Sequence, residues 1–455
     1  MSQETPLQPS LSSTSTEPSI PRLPSGIAPA KSTGLSPAQL LTFEPTEAPP
    51  QLPPQPEEGP TGEKRSIAIV GSRGIPARYG GFETAADVLA RRLVAAGHRV
   101  IVSCEEGPGP APTTYAGAEL RYYPAPPLGP ASTIIHDSLA LWDLRNEVDI
   151  IYLLGYGAAF AAMLPRMSGA EIWINPDGVE WARAKWPLPA KLWFRAMEFL
   201  TMRVAHRVVS DAEALADHLR SRHTTGAEIT TIAYGTEIVT ETPTTQIAEK
   251  HGLGPDAYFL IVCRLEPENH ILEAIEGYKA AGPLAMPLAI LGSTEKKTPY
   301  VEKLLAAAEG ANVRFLGTEY NPKKLAALRF HARAYVHGHS VGGTNPSLLE
   351  ALGAGNLLLA HDNSFNREVI GEVESEWFAS PEEAALGYQA LAVISRDEAH
   401  ARREAAQQRA KSTYSWDLIA AAYVQLLATE PLVASRHGMA RGAKRAAKLE
   451  KAQAA

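Results

Sequence analysis

The sequence predicts an α/β protein of two tandem, Rossmann-like doubly wound domains facing a shared cleft. Three observations carry that prediction. SIAIV at Ser66–Val70 is a buried-strand pattern, followed by a glycine-bearing loop, an amphipathic helix and a second strand, RVIVS, at Arg99–Ser103. This is the β–loop–α–β start of a parallel sheet with helices on both faces. The same plan begins again at Tyr258–Val262, after the weakly periodic stretch 236–256. At 455 residues, 45% hydrophobic and 20% charged, the chain is long enough for two domains of usual size plus tails.

The elements follow in order. Residues 1–62 are dominated by Pro, Ser, Thr and Gln and close on APPQLPPQPEEGPTG. Such a segment buries too little apolar surface to balance its ordering entropy, so it reads as a disordered tail. The first domain spans 63–240. Phe82, Ala85, Ala86, Leu89, Leu93 and Ala96 form one apolar helix face, ended by Gly97. The loop before that helix holds Gly71, Gly74, Gly80 and Gly81 without GxGxxG spacing, which counts against a nicotinamide enzyme. Further strands are expected at Glu119–Tyr123, Asp149–Leu154, Glu171–Asn175, Arg207–Ser210 and Glu228–Ile232. Residues 241–256 read as a linker. The second domain, 257–410, continues with a helix at Ile271–Ala281, a strand at Leu288–Leu291 and a helix at Tyr300–Ala308. Strands follow at Val313–Leu316, Ala334–His337 and Asn356–Ala360. Residues 411–430 read as a returning C-terminal helix and 431–455 as a basic tail.

Composition narrows the partners. A formal net charge of -7, with no continuous basic arm before the core, argues against nucleic acid. Cys104 and Cys263 lie far apart in strand-like segments, as buried free thiols of a reducing compartment do, and they form no metal motif. No apolar run approaches the ~20 residues that span a bilayer. The N-terminus also lacks an apolar signal core. The expectation is a cytoplasmic protein.

The stretch with most chemical content is HGHSVGGTNPSLLEALGAG, His337–Gly355. Asn345 is placed to cap a helix, Pro346 suits its first position, and Glu350 lies one turn further in. A helix start of this kind offers unpaired N–H groups and a positive dipole end to a phosphate. Gly342 and Gly343 let a ligand approach the backbone. The alternative is an ordinary capped helix after a glycine turn.

Taken together, IAIVGSRGIPARYGGFETAADVLARRL, NPDGVEWARAKW, CRLEPENH, HGHSVGGTNPSLLEALGAG and YSWDLIAAAY resemble retaining family-4 glycosyltransferases of GT-B type over roughly residues 65–428. The resemblance is nearest to bacterial rhamnosyltransferases of capsule and exopolysaccharide assembly. It implies donor binding by Gly80, Gly81, Arg264, Gly342, Gly343, Thr344, Asn345 and Glu350. Arg264 would contact the donor diphosphate, and Glu350 would accept hydrogen bonds from the nucleotide ribose. Two positions depart from the pattern: Asn269 stands where a lysine is expected, and Gly342 where a first glutamate is. The first removes a cation; the second leaves the donor sugar to other groups. Asp177 and Glu180, after the strand Glu171–Asn175, are placed to orient an acceptor hydroxyl. In this class the leaving phosphate is thought to take the proton. His337 and His339 are either sugar-hydroxyl partners or structural histidines. The alternatives are a surface ion pair for Arg264, an exposed helix carboxylate for Glu350, a strand–helix turn for Gly80 and Gly81, and an Asx turn or cap for Asp177. No cofactor and no metal are implied; the nucleotide-diphosphate sugar is a substrate.

Between Trp181 and Arg207 the chain interleaves aromatic and basic residues around a single acid, Glu198. This is a candidate peripheral contact with an anionic membrane, facing a helix packed on its own sheet as the alternative. The resulting expectation is a hexosyltransferase. It would act on a saccharide or polyprenyl-diphosphate-linked saccharide at the inner face of the plasma membrane, with dTDP-rhamnose the first-choice donor. The rivals are a GT-B-fold sugar-nucleotide epimerase and a non-catalytic nucleotide-sugar or lipid binder.

Overall fold

The computed structural model describes residues 64–77, 80–109, 111–183, 185–223, 226–429 and 431–433. The expected tail 1–62 and all but the first three residues of 431–455 lie outside the described residues. Two sheets organise the rest. The first is built from β1 (Ser66–Val70), β2 (Arg99–Glu105), β3 (Thr114–Tyr115), β4 (Ala118–Tyr123), β5 (Ile150–Leu154), β6 (Glu171–Asn175), β7 (Arg207–Ser210) and β8 (Glu228–Thr231). The second holds β9 (Phe259–Val262), β10 (Leu288–Leu291), β11 (Val313–Gly317), β12 (Ala334–His337), β13 (Leu357–His361) and β14 (Glu376–Phe378).

Strand order is β3-β4-β2-β1-β5-β6-β7-β8 in the first sheet and β11-β10-β9-β12-β13-β14 in the second. All pairs are parallel except the short β3–β4 hairpin. The second order, 3-2-1-4-5-6 in its own count, is that of a dinucleotide-type doubly wound sheet. Every residue of β1, β5 and β6 is buried, which is why these strands read as continuous apolar runs. β3 and β14 leave too short a pattern to be read from sequence.

One core cluster runs from the first sheet, through Trp416 and Tyr423, to Leu348 and Leu352 under the second. Two further clusters fill the outer faces of the two sheets. The chain crosses between the halves beside itself: Thr236 bridges Ser415, and the Thr236 amide donates to the Tyr414 carbonyl at 2.7 Å. After that crossing the helix Trp416–Ala428 returns to the first sheet. There the Tyr423 and Tyr152 hydroxyls are 2.7 Å apart, and Asp417 pairs with Arg92.

Candidate active site

In open parallel sheets, ligands bind beyond the strand C-termini where the strand order reverses. Those points are β1/β5 in the first sheet and β9/β12 in the second. Each is tightened by a glycine: a Cβ at Gly71 would overlap the Leu154 carbonyl, and one at Gly338 the Asn269 carbonyl. The loops leaving these four strands carry most of the residues expected to bind the donor.

Helix Pro346–Gly353 starts as its sequence demands. Asn345 Oδ1 accepts the Ser347 amide at 2.9 Å, and Pro346 opens the first turn. Across the cleft, a Cβ on Gly81 would lie 3.0 Å from Pro346 Cγ, so the Gly80–Gly81 turn faces the start of this helix. The preceding turn is seated on the first domain. A Cβ on Gly178 would come 2.5 Å from Gly342 Cα, and one on Gly343 would overlap the Asp211 carboxylate. The Gly343 amide donates to the Asp177 carbonyl at 3.4 Å, and Thr344 Oγ1 donates to the Asp211 carbonyl. Glycine is required here by the closeness of two backbones.

Arg264 leaves β9 with a side chain 58% exposed, and Glu266 lies 3.7 Å from it. Asn269 has a different task from a phosphate ligand. Its Nδ2 donates to the Arg264 carbonyl at 2.7 Å, while its Oδ1 faces His339 Nδ1 at 2.7 Å. It therefore ties the arginine loop to the loop after β12. Burial, reinforced by the Arg183 charge, pushes the His339 imidazole down to about 3, so it is neutral in the cleft. The two histidines separate in role. His337 is buried at the end of β12, held well below its usual value by burial and stacked near Tyr335; His339 borders Gly342.

Asp177 sits at φ 61°, with its amide bonded to Asn175 Oδ1 at 2.8 Å. Asn175, not Asp177, makes the Asx turn. Burial holds the Asp177 carboxyl above its ordinary range, against the pull of Arg183 at 3.4 Å. Glu180 pairs with Arg183 at 2.5 Å. Sequence reasoning passed over Asp211, Arg183 and Glu268. Asp211 is buried just past β7, with Oδ1 unbonded among the described residues, and burial with the nearby Asp177 charge lifts it well above a normal carboxyl. Its position after a strand end is the signal that singled out Asp177 after β6.

Glu350 lies one turn into the donor helix and bonds Arg329 at 2.6 Å. Arg329 is 3% exposed while Glu350 is 43% exposed, so one carboxylate oxygen holds a buried guanidinium and the other end of the group faces outward.

The aromatic–basic stretch 181–207 divides in the structure. Trp181 Nε1 donates to Glu198 at 2.7 Å and Trp186 Nε1 to Glu180 at 3.0 Å. Arg207 is buried and pairs with Glu228. Lys185 turns across the cleft to Glu266, at 3.5 Å, so it is withdrawn from the expected membrane face. What remains outward on helix Leu188–Val204 is Leu188, Leu192, Trp193 and Phe199, with Arg195 and Arg203 exposed and Lys191 partly so. No helix among the described residues is long and apolar enough to cross a membrane.

Residues 64–237 match a domain of unknown function (DUF1972), and residues 243–413 match glycosyl transferases group 1. No curated protein matches the chain. Among solved structures, sucrose-phosphate synthase from Thermosynechococcus elongatus superposes with a TM-score of 0.67 at 15% identity, over 80% of this chain and 98% of that one. Anabaena HepE, solved in complex with UDP and glucose, gives 0.61 at 16%, over 80% and 99%. An α,α-trehalose-phosphate synthase (UDP-forming) from Burkholderia vietnamiensis gives 0.61 at 12%, over 80% and 99%. The part of the chain that carries Arg264, His339 and the helix Pro346–Gly353 thus matches the glycosyl transferases group 1 model, in a chain of GT-B fold.

Proposed function

We propose that the protein transfers a sugar, with retained configuration, from a nucleoside-diphosphate donor to a hydroxyl of a lipid-linked saccharide in cell-surface polysaccharide synthesis. The observation that carries this reading is the convergence at the second switch point. Arg264 just past β9, the capped start of helix Pro346–Gly353 past β12 and the Gly80–Gly81 turn past β1 all lie beyond strand C-termini at the switch points, with Gly81 facing Pro346. A guanidinium and the positive end of a helix dipole suit a leaving diphosphate, although the first amides of this helix are already taken by Asn345. In the reaction, the bond from the sugar C1 to the diphosphate oxygen breaks and the acceptor oxygen bonds C1 from the same face. The hydroxyl proton passes to the leaving phosphate. Asp177 orients the acceptor, and neutral His339 is a hydrogen-bond partner for a donor-sugar hydroxyl. Glu350 holds the ribose with the carboxylate edge turned away from Arg329.

A membrane-bound acceptor is supported by the apolar and basic face of helix Leu188–Val204. Phe160 packs edge-on to Trp193 there at 5.9 Å, extending the face toward exposed Met163, Leu164 and Met167. Interfacial aromatics beside arginine and lysine suit an anionic bilayer surface. The resemblance to rhamnosyltransferases makes dTDP-rhamnose the first donor to try. The test is incubation with dTDP-, UDP- and GDP-sugars, with and without a polyprenyl-lipid extract. Acceptor-dependent release of nucleoside diphosphate is expected. Epimerisation without acceptor would replace the transferase reading, and binding without turnover would make the protein a binder.

A further inference from the structure

Residues 263–270, CRLEPENH, offer the donor site one permanent cation, Arg264. A diphosphate carries more charge than one exposed guanidinium neutralises. The Asn269 amide, tied to the Arg264 carbonyl and to His339, adds none. The next cation comes from the opposite domain. Lys185 Nζ lies 3.5 Å from Glu266 Oε2, and Arg264 Nη1 lies 3.7 Å from Glu266 Oε1. Both contacts are long for ion pairs, and Glu266 Oε2 is buried without a hydrogen bond among the described residues. One carboxylate therefore stands loosely between two cations from facing domains. Arg183, three residues after Glu180, is already neutralised by Glu180 and Asp177. Among the described residues Lys185 makes no second ion pair: Glu180 and Asp177 act on it only from further off, and its ammonium stands over the Trp186 ring, 5.1 Å from the ring centre.

We infer that Lys185, reaching from the first domain beside Arg264, is a ligand of the donor diphosphate, and that Glu266 keeps its place until the donor arrives. The inference rests on the proposed nucleoside-diphosphate donor. Burial and the Arg264 charge already press Lys185 toward losing its proton; an arriving polyanion reverses that pressure. Lys185 then acts as a clamp that only the closed arrangement of domains provides.

The experiment is calorimetric titration of the full chain with dTDP, UDP and GDP, and with thymidine, uridine and guanosine. For the diphosphate that binds, Lys185→Met is expected to weaken affinity about tenfold, to flatten its salt dependence, and to leave nucleoside affinity unchanged. Lys185→Arg should recover most of the loss, and Glu266→Gln should tighten diphosphate binding. Unchanged diphosphate affinity in Lys185→Met would overturn the inference. So would equal losses for nucleoside and diphosphate in both Lys185→Met and Glu266→Gln, which would make the pair a strut between domains. A wild-type protein that binds none of the diphosphates would overturn the donor reading and the inference with it.

Discussion

Glu368, in the second domain, and Glu213, in the first, meet carboxylate to amide. Glu368 Oε1 accepts the Glu213 N–H at 2.6 Å, and Oε2 accepts the Ala214 N–H at 2.9 Å. These are the opening amides of helix Glu213–Arg222, which has no side-chain cap of its own. A residue of one domain thus caps a helix of the other, with a negative charge at the favourable dipole end. Replacing Glu368 with Ala is expected to remove about 0.5–2 kcal/mol of closure. Small-angle scattering should show a larger radius of gyration, with weaker donor binding. An unaltered scattering curve would show that the cap does not hold the domains.

Arg264→Ala should slow transfer and weaken donor binding by about 2–4 kcal/mol. The side chain is 58% exposed and its ion pair with Glu266 is a loose 3.7 Å, so the thermal midpoint should barely move. Normal turnover by the folded variant would place the diphosphate elsewhere.

Glu350→Gln should do two things at once. Ribose contacts are made in ground and transition states alike, so nucleoside affinity should fall with little effect on kcat. The structure adds a cost, because Arg329, nearly inaccessible, loses its carboxylate and keeps Ser347 Oγ, at 2.9 Å, and the Tyr335 ring, 5.7 Å away, neither of them charged. A loss of about 1–3 kcal/mol is expected in urea unfolding. Unchanged nucleoside affinity with lowered stability would leave Glu350 a purely structural partner of Arg329.

Three histidines predict the acid limb of stability. Burial depresses His339 to about 3 and His206 and His361 to about 4, from an ordinary 6.5. Neutral in the folded chain, they take up protons when it unfolds, so the unfolded state binds more protons below pH 6.5. Their stabilising effect is complete above that value and is lost as pH falls toward 4 and then 3. His206 Nδ1 accepts the Ile172 amide at 2.9 Å, a bond that protonation would destroy. His206→Asn should therefore flatten the fall of the urea midpoint between about pH 6.5 and 4.5. An equally steep fall would assign the loss to other groups.

Binding to anionic vesicles should be salt-sensitive and independent of residues 1–62. Lys191→Glu with Arg195→Glu and Arg203→Glu should abolish it, since each basic residue near such a surface contributes about 1 kcal/mol. Lys185 is left out because it faces Glu266. Wild-type protein remaining in the supernatant at low salt would make the acceptor a soluble saccharide.

The sequence was most informative where local chemistry decides the outcome. The apolar runs gave β1, β6, β7, β10 and β12 with their observed ends, and Asn345-Pro346 gave the donor helix its start. What it did not disclose depends on pairing at long range. Nothing local marks Asp211 as the neighbour of Gly343, Lys185 as the neighbour of Glu266, or Arg329 as the partner of Glu350. These contacts join residues separated by 132, 81 and 21 positions, and only the parallel order of the sheets brings them together. The division of the 181–207 stretch has the same origin only in part: Lys185 and Arg207 are claimed by Glu266 and Glu228 on other elements, whereas Trp181 and Trp186 bond Glu198 and Glu180, within or next to the stretch itself.

The crossing at Thr236 and Ser415 makes the second half an insertion in topological terms. The chain enters it and leaves it at neighbouring residues, with the Thr236 amide on the Tyr414 carbonyl and the Trp416 amide on the Thr236 carbonyl. A body attached by two adjacent strands of chain swings about one line, and the five-residue π-helical turn Ala410–Tyr414 lies on that line. It also means that the segment between these points begins and ends in one place, so it could be excised as a separate unit, or its ends joined and reopened elsewhere, without stretching the backbone.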